Sequence, residues 1–500
     1  MDAKLVSAAR AAFPKQGASL VLGAPVYAGE CHPEPLVALP LAMANRHGSV
    51  AGATGTGKTK TLQLMAEQLS AAGVSVFLAD LKGDLSGIAA PGEANERVQA
   101  RARDTGFPWK PAACPVELFS LTGARGAQLR ATVSSFGPLL LAKVLELNET
   151  QTSVLSLVFK YCDDRGLELL DFADLRAALQ HLSGPAAADL ASYGGMSKQT
   201  VGVLLREMVE LETQGALAFF GEPELELDDL LRKAPDGRGI VSVLELADSQ
   251  DKPALFSTFM MWLLAKLQSH LPEVGDTPAP KLVFFFDEAH LLFRNASPAF
   301  LDQVGQVVRL IRSKGVGVFF VTQSPKDVPA EILGQLGNRI QHALRAFTPD
   351  DEKALRAAAR TFPKSEFYDV ERTLTTLGIG EALVTVLGAN GVPSPPFATR
   401  MVPPASRMGP LEEPELRRCL ESPLVAKYRT AVDRDSAAEK LEREGAPRAP
   451  AGAPSRARDA RSSAGPSIGD VLNSPLARTV AGAITRGLMG ELRRWGRGGR

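Results

Sequence analysis

The stretch Gly52-Ala53-Thr54-Gly55-Thr56-Gly57-Lys58-Thr59 sets three glycines, a lysine and a hydroxyl at the spacing GxxxxGK[ST]. Glycines let a backbone wrap closely around phosphate oxygens, so that successive N–H groups point inward, and a following helix N-terminus adds its positive end. In that arrangement Lys58 reaches the β- and γ-phosphates of a nucleoside triphosphate, and the Thr59 hydroxyl ligates magnesium. A glycine-rich turn that binds nothing is the plain alternative. The approach through Val50 and Ala51 and the amphipathic run after Thr59 argue against it.

A second set of residues supplies acids. Lys281 to His290 reads KLVFFFDEAH, five apolar residues ending at Asp287 and Glu288. A buried parallel strand would carry this pair to its C-terminal edge. There Asp287 would hold magnesium through water, and Glu288 would orient or deprotonate an attacking water. A strand followed by a helix-capping acid is the simpler reading of the pair alone, and the phosphate loop upstream shifts the balance toward chemistry. Asp287-Glu288-Ala289-His290 also spells a helicase-group motif, but the arginine-rich HRxGRxxR that such helicases carry is absent.

Val316 to Gln323 (VGVFFVTQ) is a further apolar strand, and Gln323 at its end is expected to sense the γ-phosphate or position water, with a satisfied strand-end amide as the plain alternative. Between the two strands the helical stripe Phe300, Val304, Val308 and Ile311 leaves Arg309 and Arg312 together on one flank. Arginines near a helix end are commonly solvated or paired with carboxylates. In a ring, such a flank presents a trans-acting arginine to a neighbour's phosphate. Arg345, after the strand-like Arg339 to Leu344, is another candidate.

Elements of alternating type must position these groups. Thr61 to Ala72 has helical spacing, Val74 to Asp80 reads as a buried strand, and strands return at Ile240–Leu246, Leu282–Asp287, Val316–Thr322 and Glu381–Leu387. That alternation predicts an α/β fold, a RecA-like P-loop core with a mainly parallel sheet and right-handed crossovers. The expected organisation is a short-strand segment over 1–47, the core over 48–123 and 237–400, and a mostly helical insertion over 124–236. A helical extension over 401–445 and a Pro/Ala/Arg-rich linker and tail over 446–500 complete it. Residues 447–500 hold ten arginines against three acids, and Ile468 to Arg500 reads as a short basic helix. Composition favours a disordered solubilising tail over a DNA contact.

The whole chain is neutral, with 56 basic and 56 acidic side chains among 500 residues, so no global basic excess points to nucleic acid. Cys31, Cys114, Cys162 and Cys419 lie far apart without a CxxC pair, which argues against a disulfide framework or structural zinc. With no signal-peptide pattern and no apolar run of about 18 residues, the expectation is a cytoplasmic protein without a membrane span. No NKxD base-recognition motif appears, so ATP is expected as the nucleotide in preference to GTP.

The order GATGTGKT, DLKGD (Asp80 to Asp84), FFFDEAH, RSKGVGVFFVTQSP (Arg312 to Pro325) and GNRI (Gly337 to Ile340) resembles the FtsK/HerA superfamily of ring ATPases. Within it the chain is most similar to bacterial HerA-like proteins of the YjgR type, through LNETQ (Leu147 to Gln151) and FGEPELELDDL (Phe220 to Leu230) as well. The resemblance covers roughly residues 17–400. It implies ATP and Mg2+ as ligands, a ring homo-oligomer (usually a hexamer), and ATP-driven movement along or unwinding of double-stranded DNA. It further implies that Lys58 and Thr59 bind phosphate and magnesium, that Asp287 and Glu288 are the Walker B pair, that Gln323 is the sensor, and that Arg312 is the arginine finger. The segment before the core is shorter than HerA's N-terminal β-barrel, and nothing matches a winged helix. An ATP-driven switch remodelling an unidentified protein partner, docked on the helical insertion, is the competing expectation.

Overall fold

The computed structural model describes residues 2–445 apart from 16, 190–192, 295 and 389, so the expected linker and basic tail lie outside the described residues. Thirteen strands among these residues join in one sheet. The first four are β1 (Ser19–Tyr27), β2 (Glu30–Cys31), β3 (Val37–Pro40) and β4 (Gly48–Ala51). β5 (Ser75–Asp80), β6 (Val116–Ser120), β7 (Ala127–Gln128), β8 (Val241–Glu245) and β9 (Leu282–Phe286) follow. The last are β10 (Val316–Thr322), β11 (Asn338–His342), β12 (Glu381–Thr385) and β13 (Phe397–Met401).

Their order is β2-β1-β13-β12-β11-β4-β10-β9-β5-β8-β6-β7, with β3 paired to β1. From β11 to β7 every pairing is parallel, and from β12 outward to β3 every pairing is antiparallel. The chain is thus a mixed α/β protein with a mostly parallel central sheet, the class that alternating apolar strands and amphipathic helices call for.

Side-chain alternation divides the interior into two layers. On β9, Phe284 and Phe286 face one core with Phe320 of β10, while Val283 and Phe285 face the other with Phe319. All five residues of β9 are buried. Burial of such a side chain contributes about 1.5–3 kcal/mol, so the strand is held in the sheet's middle and whatever follows it is delivered to the sheet's end in fixed register.

One core is covered by the four longer helices between β7 and β8, Val133–Val144, Glu149–Asp164, Phe172–Ser183 and Lys198–Thr213, together with Pro253–His270 and Pro298–Ile311. In Lys198–Thr213 the stripe Val201, Leu204, Met208 and Leu211 is buried, as its spacing requires. The other core is covered by α1 (Asp2–Ala12) and α2 (Lys58–Ala71).

α1 departs from the expectation of strands alone at the N-terminus. Leu5, Ala9 and Phe13 stand four apart and bury one helical face, with the Phe13 ring 5.3 Å from that of Phe397. No described helix is long and apolar enough to cross a membrane.

Candidate nucleotide site

The phosphate loop leaves the C-terminal end of β4, which lies between β10 and β11. Gly52 N–H donates to the Thr322 carbonyl at 3.2 Å, and Ala53 N–H donates to that of Ala343 at 2.9 Å, so both neighbouring strands fix the loop's start. A Cβ on Gly52 would come within 2.5 Å of the His342 Cβ, which excludes any other residue there. Gly57 sits at φ 117° immediately before α2, a left-handed turn that aims the first helical N–H groups into the loop. Thr54 and Gly55 are exposed at the loop's tip, while Lys58 is buried and donates from Nζ to the Ala53 carbonyl at 3.2 Å.

Behind the loop stands His342. Its Nδ1 lies 2.9 Å from the Glu381 carbonyl and its Nε2 lies 2.9 Å from the Thr61 hydroxyl. The carbonyl can only accept, so Nδ1 carries the proton and Nε2 accepts from Thr61. Burial pushes this imidazole down to about 4, so it braces the loop as a neutral group.

The acids arrive from the other side of β10. β9 pairs with β10 as β4 does, so the loop and the acids are two strand spacings apart, about 10 Å. Asp287 N–H donates to the Ala79 carbonyl of β5 at 3.3 Å, and Ala289 N–H to the Val321 carbonyl at 2.8 Å. Burial, then the Glu288 charge, pushes the Asp287 carboxyl up to about 7. Burial lowers the Lys58 ammonium while the Glu288 and Asp287 charges oppose that, so all three charges share one field.

Glu288 holds φ at 50°, the left-handed region that a residue with a side chain rarely adopts. Strain of this kind concentrates at functional sites because the surroundings must over-determine it.

Lys82 is the group that the sequence reading did not single out. Asp80 ends β5, and its carboxylate accepts from the N–H groups of Lys82, Gly83 and Leu85 at 3.1, 2.8 and 2.8 Å. The resulting tight turn sets the Lys82 ammonium on Glu288 Oε1. Burial alone would raise the Glu288 carboxyl, but the Lys82 hydrogen bond and the Lys82 and Lys58 charges outweigh it and hold the group below its ordinary value. The available signal is the acid-ended strand followed at once by Leu-Lys-Gly-Asp.

The remaining candidates separate. Gln323 and Arg345 both line the cleft that opens beside Ala53 and Thr54, with His290 on its wall. Gln323 is exposed there, and Arg345 donates to the Thr375 carbonyl at 2.9 Å. Arg309 and Arg312 are exposed before the N-terminal end of β10, at the opposite edge of the sheet. A seven-residue strand separates them from the phosphate loop, about 20 Å.

Asp287 Oδ2 is buried without a hydrogen-bond partner among the described residues, and Glu288 Oε2, also buried without a hydrogen bond of good geometry, has the His290 Nδ1 3.2 Å away. Buried carboxylate oxygens left bare in this way are costly unless something charged or protic meets them. A hydrated magnesium ion beside Asp287 and a water beside Glu288 fit that donor chemistry, with the Thr59 hydroxyl as the remaining protein ligand.

A family model described as helicase HerA-like C-terminal matches residues 28–494. The chain is 32% identical over 107 residues to a probable helicase of Methanocaldococcus jannaschii, covering 21% of this chain and 20% of that protein. It is 24% identical over 162 residues to the DNA double-strand break repair helicase HerA of Saccharolobus solfataricus, covering 32% and 31%. The matched stretches therefore span less than a third of these relatives' lengths. Among solved structures, the bacterial conjugative coupling protein TrwBdeltaN70 aligns with 80% of this chain and 91% of its own at 15% identity and a TM-score of 0.47.

Proposed function

The chain belongs to the helicase HerA-like C-terminal family, and from that premise we propose that it hydrolyses ATP as a ring-forming motor acting on double-stranded DNA. One observation carries the hydrolytic part: the phosphate loop and the Asp287–Glu288 pair flank the same strand, β10, at the same end of the sheet. The backbone from Gly52 to Gly57 cradles the phosphates, Lys58 meets the β- and γ-oxygens, and Thr59 with Asp287 holds hydrated magnesium. Magnesium there offsets charge on the transferring phosphoryl group. Glu288 takes a proton from water as the water oxygen attacks the γ-phosphorus and the bond to the ADP oxygen breaks. Gln323, in the cleft at the loop's start, orients that water.

Lys82 holds Glu288 through Oε1 and keeps it ionised, which leaves Oε2 as the oxygen that accepts the proton. Arg312 is too distant to serve its own nucleotide, and its exposure suits a finger acting on a neighbouring subunit, with Arg309 beside it. Arg345 already borders the loop's own cleft and would act in cis. Mixing Arg312→Ala subunits with Glu288→Gln subunits is then expected to restore part of the turnover that each lacks alone. Verified mixed assemblies that stay inactive would remove Arg312 from this role.

Hydrolysis is expected to rise several-fold with duplex DNA and to fall as salt is added, because phosphate contacts release counterions. The partner-remodelling alternative draws on Leu139 and Leu217, 67% and 65% exposed on the helical layer between β7 and β8. A phosphate-release rate indifferent to every form of DNA would favour that reading.

A further inference from the structure

The two ends of the phosphate loop open onto different surroundings. Its start, Ala53 and Thr54, borders the cleft of His290 and Gln323, on the side where β10 and β9 bring the acids. Its end and the first turn of α2, through Gly57, Lys60 and Thr61, border a second cleft of about 250 Å³ on the β12–β13 side. That volume is below the roughly 300–1,000 Å³ of sites that enclose a whole drug-sized ligand, and suits one part of a ligand anchored elsewhere. A triphosphate with its γ-phosphate at Glu288 and its chain along the loop must leave its nucleoside at this second end.

The wall facing α2 is apolar, formed by Met401, Val402, Pro403 and Met408, with Val98 of α3 (Glu96–Thr105) and Ile379 completing it. It is built onto the helix that holds the phosphates. Glu67 of α2 accepts from Ala405 N–H at 2.7 Å and Ser406 N–H at 3.1 Å, and Gln63 Nε2 donates to the Arg407 carbonyl at 2.7 Å. The Arg101 guanidinium is pinned by the Gly380 and Ile379 carbonyls at 3.1 and 2.9 Å, leaving a planar cation at the rim. Methionine sulfur and a guanidinium plane are both good partners for the face of an aromatic base.

Equally telling is what the wall lacks. No carboxylate or carboxamide side chain lines the cleft among the described residues. The N–H groups of Met401, Val402 and Gly380 already donate to the carbonyls of Gly380, Leu22 and Thr56 at 3.0, 2.9 and 2.9 Å, and Pro403 and Pro404 have none to give. Adenine and guanine differ in the hydrogen-bonding edge opposite the sugar. A site rejects the wrong edge by factors of about 10⁴ or more only when it is built to bond the right one.

We propose that this cleft is the purine site of the same nucleotide, that it holds the base by its faces, and that it accepts GTP nearly as well as ATP. The inference rests on the nucleotide reading above. It is tested by calorimetric titration of the full chain with MgATP, MgGTP and magnesium tripolyphosphate. Dissociation constants for the two nucleotides are expected within about tenfold of each other.

Met408→Glu and Ile379→Glu, at positions 40% and 73% exposed where folding tolerates a charge, are expected to weaken both nucleotides about tenfold or more while tripolyphosphate stays within about twofold. A preference for one purine beyond about a hundredfold, or nucleotide affinities unmoved in both variants, would overturn the purine site while leaving the phosphate loop intact. Failure of the wild-type chain to bind any of the three ligands would instead overturn the nucleotide reading itself.

Discussion

Lys58→Ala is expected to reduce ATP turnover by at least about 10²–10³-fold, the usual loss when one donor aimed at developing charge is removed. The expectation comes from where the ammonium sits. Lys58 is 7% exposed at the first position of α2 and shares a field with Asp287 and Glu288. In the structure its Nζ rests on the Ala53 carbonyl, at the point where the cradle would present a β- or γ-oxygen. A buried ammonium with one carbonyl for a partner is under-satisfied, and a phosphate is the partner that its charge and three donors suit. Alanine leaves the backbone cradle in place, so binding of ADP should suffer less than hydrolysis. Phosphate release and nucleotide titration on the same preparation separate the two, and an unchanged thermal midpoint would show that the fold is retained. Wild-type turnover in this variant would remove the phosphate loop from the chemistry.

The second large effect is expected from Glu288→Gln, with turnover reduced by about 10²–10⁴-fold, the range for loss of a general base. ATP affinity should remain within about threefold, because the substitution removes an interaction made only in the transition state. Glutamine keeps the size of the side chain and an oxygen for the Lys82 ammonium, so the turn at Asp80 and the loop at Ala53 are left undisturbed. It removes the lone function that an amide cannot perform, accepting a proton from water. Glutamate and glutamine meet similar steric cost at the φ of 50° found at this position, so local strain is expected to confound the comparison little. An active Glu288→Gln protein would move the base elsewhere, with the adjacent Asp287 as the next carboxylate to replace. Trapping of ATP in this variant is also the condition under which the mixed-subunit test with Arg312→Ala becomes readable.

Much of this was legible in the linear chain, for definite reasons. The loop Gly52–Thr59 is contiguous, so its glycine spacing alone states the backbone shape. β9 and β10 are short apolar runs that end at Asp287 and Gln323, and a period-two strand buried on both faces has only one way to present the residue after it. Helices such as Lys198–Thr213 announce themselves by their stripes. α1 was missed because alanines at Ala3, Ala8, Ala9, Ala11 and Ala12 dilute its apolar face, and Leu5 and Phe13 alone do not reveal a period.

Residue types and their spacing thus determined the α/β class, through the alternation of helical and strand periods along the chain, and picked out the phosphate loop, the acid pair and the strand-end glutamine, each written within ten consecutive positions. Tertiary structure alone decided which strands are neighbours. It therefore decided that β9 and β4 flank β10, that Lys82 meets Glu288 across 206 positions of sequence, and that Arg345 reaches the cleft while Arg312 stands at the far edge. Strand order costs nothing to write in many sequences and is resolved only when two apolar cores, each assembled from side chains hundreds of residues apart, close on opposite faces of one sheet.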